Sequence, residues 1–198
     1  MRHYFEDLWE RLPAELTPPD FAVRSSFLAA ELRAGERVLD LGCGAGQFTA
    51  LAAATGARAI GIEVAQSALA RARAAYPNLE FRETQIDGPL PIEDNSFEVV
   101  WASEVIEHVA DTARWLSEVR RVLVPGGRLL ITTPSHGRLP IALGGIERFS
   151  APLGDHLHLY TPRSLRGLLT EFGFGEIEIR QAGGPPLLRR MLLARAVR

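Results

Sequence analysis

The stretch Val38-Leu39-Asp40-Leu41-Gly42-Cys43-Gly44-Ala45-Gly46 constrains this chain more than any other. An apolar run led by valine ends in an acid, and glycines follow at alternate positions. Such a pattern predicts a buried strand that turns sharply into a helix whose N-terminus lies bare beside a ligand. Glycine tolerates left-handed backbone and lets a ligand approach closely, and helix N-termini present unpaired N–H groups. A dinucleotide fingerprint requires Gly-x-Gly-x-x-Gly. Here Gly42, Gly44 and Gly46 give Gly-x-Gly-x-Gly, and position 47 is Gln. Asp40 precedes the glycines, where a carboxylate repels a pyrophosphate but suits a cation. The expected ligand is a nucleoside carrying a positive group.

From position 37 onward, strand and helix patterns alternate. Strands are expected at 37–41, 58–62, 79–83, 97–102, 127–133 and 175–180, and helices near 46–55, 65–76, 111–123 and 162–172. Continuous apolar strands separated by helices predict an α/β fold: a single-domain, Rossmann-like, seven-stranded and mostly parallel sheet with helices on both faces. Residues 1–35 read as two short helices divided by Pro13 and Pro18-Pro19, a helical cap over the ligand loop. The domain proper is expected over 36–198. Within it, 134–161 breaks the rhythm with Pro, Gly and three His, and reads as an inserted lid over the acceptor site. The basic, apolar tail 185–198 fits a last strand, a surface helix, or both in succession, with the solvated helix favoured.

Composition excludes several classes. At 198 residues the chain buries a full core without staples, and its single Cys allows no internal disulfide, so a cytoplasmic location is expected. No apolar run approaches the roughly 20 residues of a membrane span, and residues 1–7 lack the apolar core of a signal peptide. A net charge of −2 gives no reason to expect nucleic acid. All 22 basic residues are Arg. That removes Schiff-base, phosphate-loop and general-base lysines. Composition leaves the oligomeric state open.

Ligands of open α/β sheets sit beyond the carboxyl ends of the strands. Glu63 ends the second expected strand, about twenty residues past the glycines, where a carboxylate accepts both hydroxyls of a ribose. Asp87, after the third strand, is placed to accept from an adenine amino group, and Ser103 leaves the fourth strand beside the same cleft. The loop 38–46, the segment Leu90-Pro91-Ile92-Glu93-Asp94-Asn95-Ser96-Phe97-Glu98-Val99-Val100 and the turn Arg121-Val122-Leu123-Val124-Pro125-Gly126-Gly127 resemble the motifs of the class I S-adenosylmethionine-dependent methyltransferases. Glu98 and Val124 depart from the usual Asp and Lys. The resemblance implies S-adenosylmethionine as cofactor, bound by Asp40, Gly42, Gly44, Gly46, Glu63, Asp87 and Ser103, with Cys43 a small loop residue.

Ser103-Glu104-Val105-Ile106-Glu107-His108 carries the next chemistry. Glu104, Glu107 and His108 fall at i, i+3 and i+4, so one helical turn would set all three on one face. Two carboxylates and an imidazole brought together are costly unless a partner such as a divalent cation satisfies them. The run resembles the Glu-x-x-Glu-His metal site of ubiquinone-biosynthesis O-methyltransferases and small-RNA 2′-O-methyltransferases. By that resemblance His156 is the fourth ligand of a Mg or Mn ion, with His158 the next candidate. Two other readings stay open: His108 as a metal-free general base assisted by Glu107, or a structural cluster. His136 borders the cleft as polar lid. The function expected is methyl transfer to a small-molecule acceptor, at oxygen. Behind it stand RNA 3′-end ribose methylation and a non-catalytic S-adenosylmethionine-binding module, and a nicotinamide oxidoreductase is disfavoured by the missing third glycine.

Overall fold

The computed structural model describes residues 2–13, 15–85, 88–136, 156–185 and 190–198. Seven strands form one sheet: β1 (Arg37–Leu41), β2 (Arg58–Glu63), β3 (Glu80–Glu83), β4 (Phe97–Ser103), β5 (Leu123–Pro134), β6 (Gly175–Ala182) and β7 (Met191–Val197). Their order is β3-β2-β1-β4-β5-β7-β6, parallel throughout except that β7 runs antiparallel to both neighbours. The helices are α1 (Arg2–Arg11), α2 (Phe21–Glu31), α3 (Gln47–Ala54), α4 (Gln66–Ala75), α5 (Thr112–Val122) and α6 (Pro162–Glu171).

The two-residue period of the central strands sorts their side chains onto two faces. Val38, Val99, Trp101 and Leu130 pack with Leu28 of α2 and with Phe48 and Ala52 of α3. Leu39, Leu41, Val100, Ala102, Leu129 and Ile131 pack with Leu116 and Val119 of α5 and Leu165 and Leu169 of α6. Leu69 and Ala72 of α4 close on Phe81 of β3. Both faces are covered, as a parallel sheet requires. Thr161 caps α6 by accepting from the Ser164 N–H, and Pro162 stands at its first turn. No helix among the described residues is long and apolar enough to cross a membrane.

Two expectations are resolved or corrected. The tail is a strand, not a surface helix: Met191, Leu192, Leu193, Ala194 and Ala196 are buried between β5 and β6. Leu, Ala and Arg are good helix formers, but pairing on both edges overrides that weak preference. Arg195 is not a free cation either, since Glu31 lies 3.2 Å away. In the segment expected to be a cap, α1 lines the cavity beside the ligand loop, while α2 packs on the sheet through Leu28 and reaches the cavity with Arg24. Most of the expected lid, 137–155, lies outside the described residues.

Candidate functional site

The carboxyl ends of β1, β2 and β4 surround a cavity of about 300 Å³ that α1 roofs. Its floor is the glycine loop. Gly42, Gly44 and Gly46 have φ of 78°, 53° and 84°, the left-handed region. Space restricts all three as well, a Cβ on Gly46 meeting the Phe81 ring at 2.8 Å. A Cβ on Gly42 would lie 2.6 Å from Val105, and one on Gly44 would lie 2.7 Å from the Trp9 ring. The N–H groups of Gly42 and Cys43 donate to the Ile62 carbonyl, which locks the turn to β2.

Glu63 ends β2 at the cavity wall. Its carboxylate accepts from the N–H groups of Gly44 (3.0 Å), Val64 (2.6 Å) and Ala65 (3.1 Å). Burial pushes its pKa up, and those three bonds pull it back. Gly42, Gly44 and Ser103 line the cavity as well. Asp40 and Gly46 are not among its lining residues. Asp40 instead lies behind the loop, 2% exposed, accepting from the Thr49 hydroxyl at 2.6 Å. Burial raises its pKa to about 7. Its sequence position beside the glycines suggested ligand contact, but strand alternation turns its side chain into the α3 layer. Asp87 lies outside the described residues.

Arg24 is a cavity residue that the motifs did not reveal. It is 5% exposed, with one guanidinium nitrogen 3.3 Å from Glu104 and another donating to Ser103 at 3.4 Å. Its Nε is buried without a partner. A signal existed: Arg24 and Leu28 stand one turn apart, so the face that buries Leu28 must also bury a cation.

The Glu-x-x-Glu-His run does not form one α-helical turn. Glu104 has φ of 56° and only Ile106–His108 is helical, as a 3₁₀ turn. Glu104 therefore parts from the others, engaging Arg24 and accepting from Thr132 at 3.1 Å. Glu107 is fully buried. One carboxylate oxygen accepts from Thr133 at 2.9 Å, while the other has no hydrogen-bond partner and lies 3.9 Å from His108 Nε2. Burial, then the charge of Glu104, push the Glu107 pKa well above the carboxylate range.

His156 completes the group. The N–H groups of Leu157 and His158 both donate to the Glu107 carbonyl, which draws this segment onto the 3₁₀ turn. The His108 and His156 rings stand 5.0 Å apart, and one ligand atom from each of Glu107, His108 and His156 lies within 4.8 Å of the others. His156 Nδ1 is buried without a partner. His158 is committed elsewhere, its Nε2 lying 2.9 Å from the Val109 carbonyl. His136 accepts at Nδ1 from the Tyr160 N–H, and burial lowers its pKa. Of the cluster, His108 reaches the cavity, where it meets Phe5 of α1 edge-on with ring centres 5.7 Å apart.

Comparison with known proteins identifies the family and the fold. A family model described as "Methyltransferase domain" matches residues 8–178. A probable S-adenosylmethionine-dependent methyltransferase of Mycobacterium tuberculosis is 32% identical over 155 residues, covering 78% of this chain and 54% of that protein. A ubiquinone biosynthesis O-methyltransferase of Hahella chejuensis is 36% identical over 103 residues, 50% of this chain and 43% of that protein. This chain thus spans about half the length of these curated relatives. The crystal structure of an S-adenosylmethionine-dependent methyltransferase from Mesorhizobium loti superposes with a TM-score of 0.71 at 24% identity, covering 90% of this chain and 97% of that one. With a strand-end cavity floored by left-handed glycines and a family model spanning most of its length, the chain belongs to the methyltransferase-domain family and has the class I fold.

Proposed function

We propose that this protein transfers a methyl group from S-adenosylmethionine to the oxygen of a small-molecule acceptor. The observation that carries the reading is that one cavity joins the glycine loop and Glu63 to His108 and the apolar side chains of α1. Glu63 is placed to take the ribose hydroxyls while staying tied to the loop amides. Arg24, paired with Glu104 and donating to Ser103, fixes these two side chains at the cavity wall beside the glycine loop. Phe5, Leu8, Leu12, Val105 and Val109 give the acceptor side an apolar wall, which suits a small apolar molecule better than RNA. The relative named as an O-methyltransferase supports oxygen as the acceptor atom.

Methyl transfer from a sulfonium is an in-line displacement, so the protein supplies alignment, a deprotonated nucleophile and a dry cleft. His108, at the cavity wall, is the base within reach of an acceptor hydroxyl, with a Glu107 carboxylate oxygen 3.9 Å from its Nε2. A divalent cation, Mg or Mn, fits the same group: two buried polar atoms, on Glu107 and His156, lack partners there. Such an ion, held by Glu107, His108 and His156, would lower the pKa of a bound hydroxyl. Glu104 is spent on Arg24 and stands outside that set.

Calorimetry with S-adenosylhomocysteine, followed by methylation of a panel of phenols and catechols with and without chelator, tests the reading. Binding with turnover that is lost in His108→Ala supports it, and chelator sensitivity supports the ion. Binding without turnover on any acceptor favours a non-catalytic module, and binding of NAD in place of the methyl donor refutes the proposal.

A further inference from the structure

The first turn of α4 has no cap of its own: its N-cap is Ala65, which offers no side-chain acceptor. Yet none of the N–H groups from 64 to 67 is idle. Glu63 takes those of Val64 and Ala65. Glu6, about sixty residues away on α1, takes those of Gln66 and Ser67, at 2.7 Å each. Two carboxylates thus share one helix N-terminus, where the N–H groups and the macrodipole favour negative charge. The same helix also grips the C-terminal end of α1. Arg71 donates to the carbonyls of Trp9 (2.6 Å), Leu12 (2.8 Å) and Pro13 (2.8 Å), and its guanidinium lies 5.8 Å from the Trp9 ring centre. Around these grips α1 lays Phe5, Leu8 and Trp9 over the cavity, with Trp9 against Gly44. No residue of α1 is fully buried among those described. Pro13, Pro18 and Pro19 then separate it from α2.

We propose that α1 is a latch over the donor, fastened by α4 at its middle and at its C-terminal end, with Glu6 and Arg71 as positioning residues that set how long the donor or its product stays. This inference rests on the donor occupying the cavity. Among the described residues Phe5, Leu8 and Trp9 cover the glycine loop, so lifting α1 widens the way by which S-adenosylmethionine exchanges for S-adenosylhomocysteine, and the grips set how readily it lifts. Ligand and latch are coupled through the shared helix terminus. The charge of Glu6 helps to raise the pKa of Glu63. Ribose hydroxyls that donate to Glu63 disperse its charge and relieve its repulsion with Glu6. A bound donor therefore favours the closed latch, and by reciprocity the closed latch favours the donor.

Stopped-flow release of S-adenosylhomocysteine from the whole chain tests this, with amide exchange over residues 2–12 as a second readout. Glu6→Gln and Arg71→Met are each expected to speed release at least tenfold. They are also expected to remove, by a similar factor, the protection that the ligand confers on α1. Arg73→Met is the control, because Arg73 lies on the same helix but holds the Phe81 carbonyl; it should release at the wild-type rate. Unchanged release in both latch variants overturns the proposal, even where their melting temperatures fall. A wild-type chain that binds no S-adenosylhomocysteine fails the donor reading instead. The latch is then judged in the free protein, where Glu6→Gln must deprotect residues 2–12 at least tenfold or the proposal falls.

Discussion

Replacing Gly44 by Ala separates two effects that meet at one atom. The first is conformational. At φ of 53° an L-residue pays roughly 1–2 kcal/mol, of which about 0.4–1 kcal/mol returns through the stiffer unfolded chain. That leaves about 1 kcal/mol. The second is steric: the new methyl would stand 2.7 and 2.9 Å from two carbons of the Trp9 ring, so the indole must move. Its displacement weakens the Arg71–Trp9 stacking, a contact of about 0.5–1 kcal/mol, and loosens α1. Gly44→Ala should thus cost about 2 kcal/mol in denaturant unfolding, or roughly 4–8 °C in melting temperature for a chain of this size. In a Trp9→Ala background the steric share vanishes and only about 1 kcal/mol should remain. The double-mutant cycle therefore carries a coupling of about 1 kcal/mol. Strict additivity refutes the contact between α1 and the glycine loop, and with it the roof over the cavity.

Two further predictions concern pH. Asp40 has its pKa raised to about 7 by burial, so between pH 4 and 7 the folded state holds a proton that the unfolded state has lost. Stability falls across that window by on the order of 4 kcal/mol at most. Asp40→Asn keeps an acceptor for Thr49 and should flatten the slope, as chemical denaturation at stepped pH will show; an unchanged slope sinks the assignment. Glu98 behaves oppositely. Its bidentate pairing with Arg37, which ties β1 to β4, lowers its pKa to about 2. The stabilisation is present above pH 4.5 and lost as pH falls towards 2. The pair is about a third exposed, so Glu98→Gln should cost only about 1 kcal/mol at pH 7 and nothing at pH 2. An equal cost at both pH values refutes the pairing.

Local structure is legible in the sequence where the chain's own chemistry leaves one solution. Gly42, Gly44 and Gly46 each adopt the left-handed backbone their spacing implied, and β1 and β4 match the expected strands within a residue. Strand alternation and glycine sterics act over a few residues, so they are legible without neighbours. What sequence alone could not supply was partnership across the fold. Glu104, Glu107 and His108 have helical spacing, but Arg24 and Thr132 capture Glu104, and the backbone turns left-handed to reach them. His156 was placed by resemblance and meets His108 only because residues 157 and 158 bond to the Glu107 carbonyl. Asp40, expected at the ligand, accepts from Thr49 of α3, a partner nine residues on that the glycine pattern does not reveal.

Sequence by itself therefore determined the loop, the alternation of strand and helix, and the type of group at the strand ends. Tertiary structure alone decided that the arginine-rich tail is an inner strand, that Arg24 enters the cavity, and that α4 fastens α1. The physical reason is range. Periodicity and backbone strain are local energies, whereas ion pairs, helix caps and edge pairing join residues dozens of positions apart.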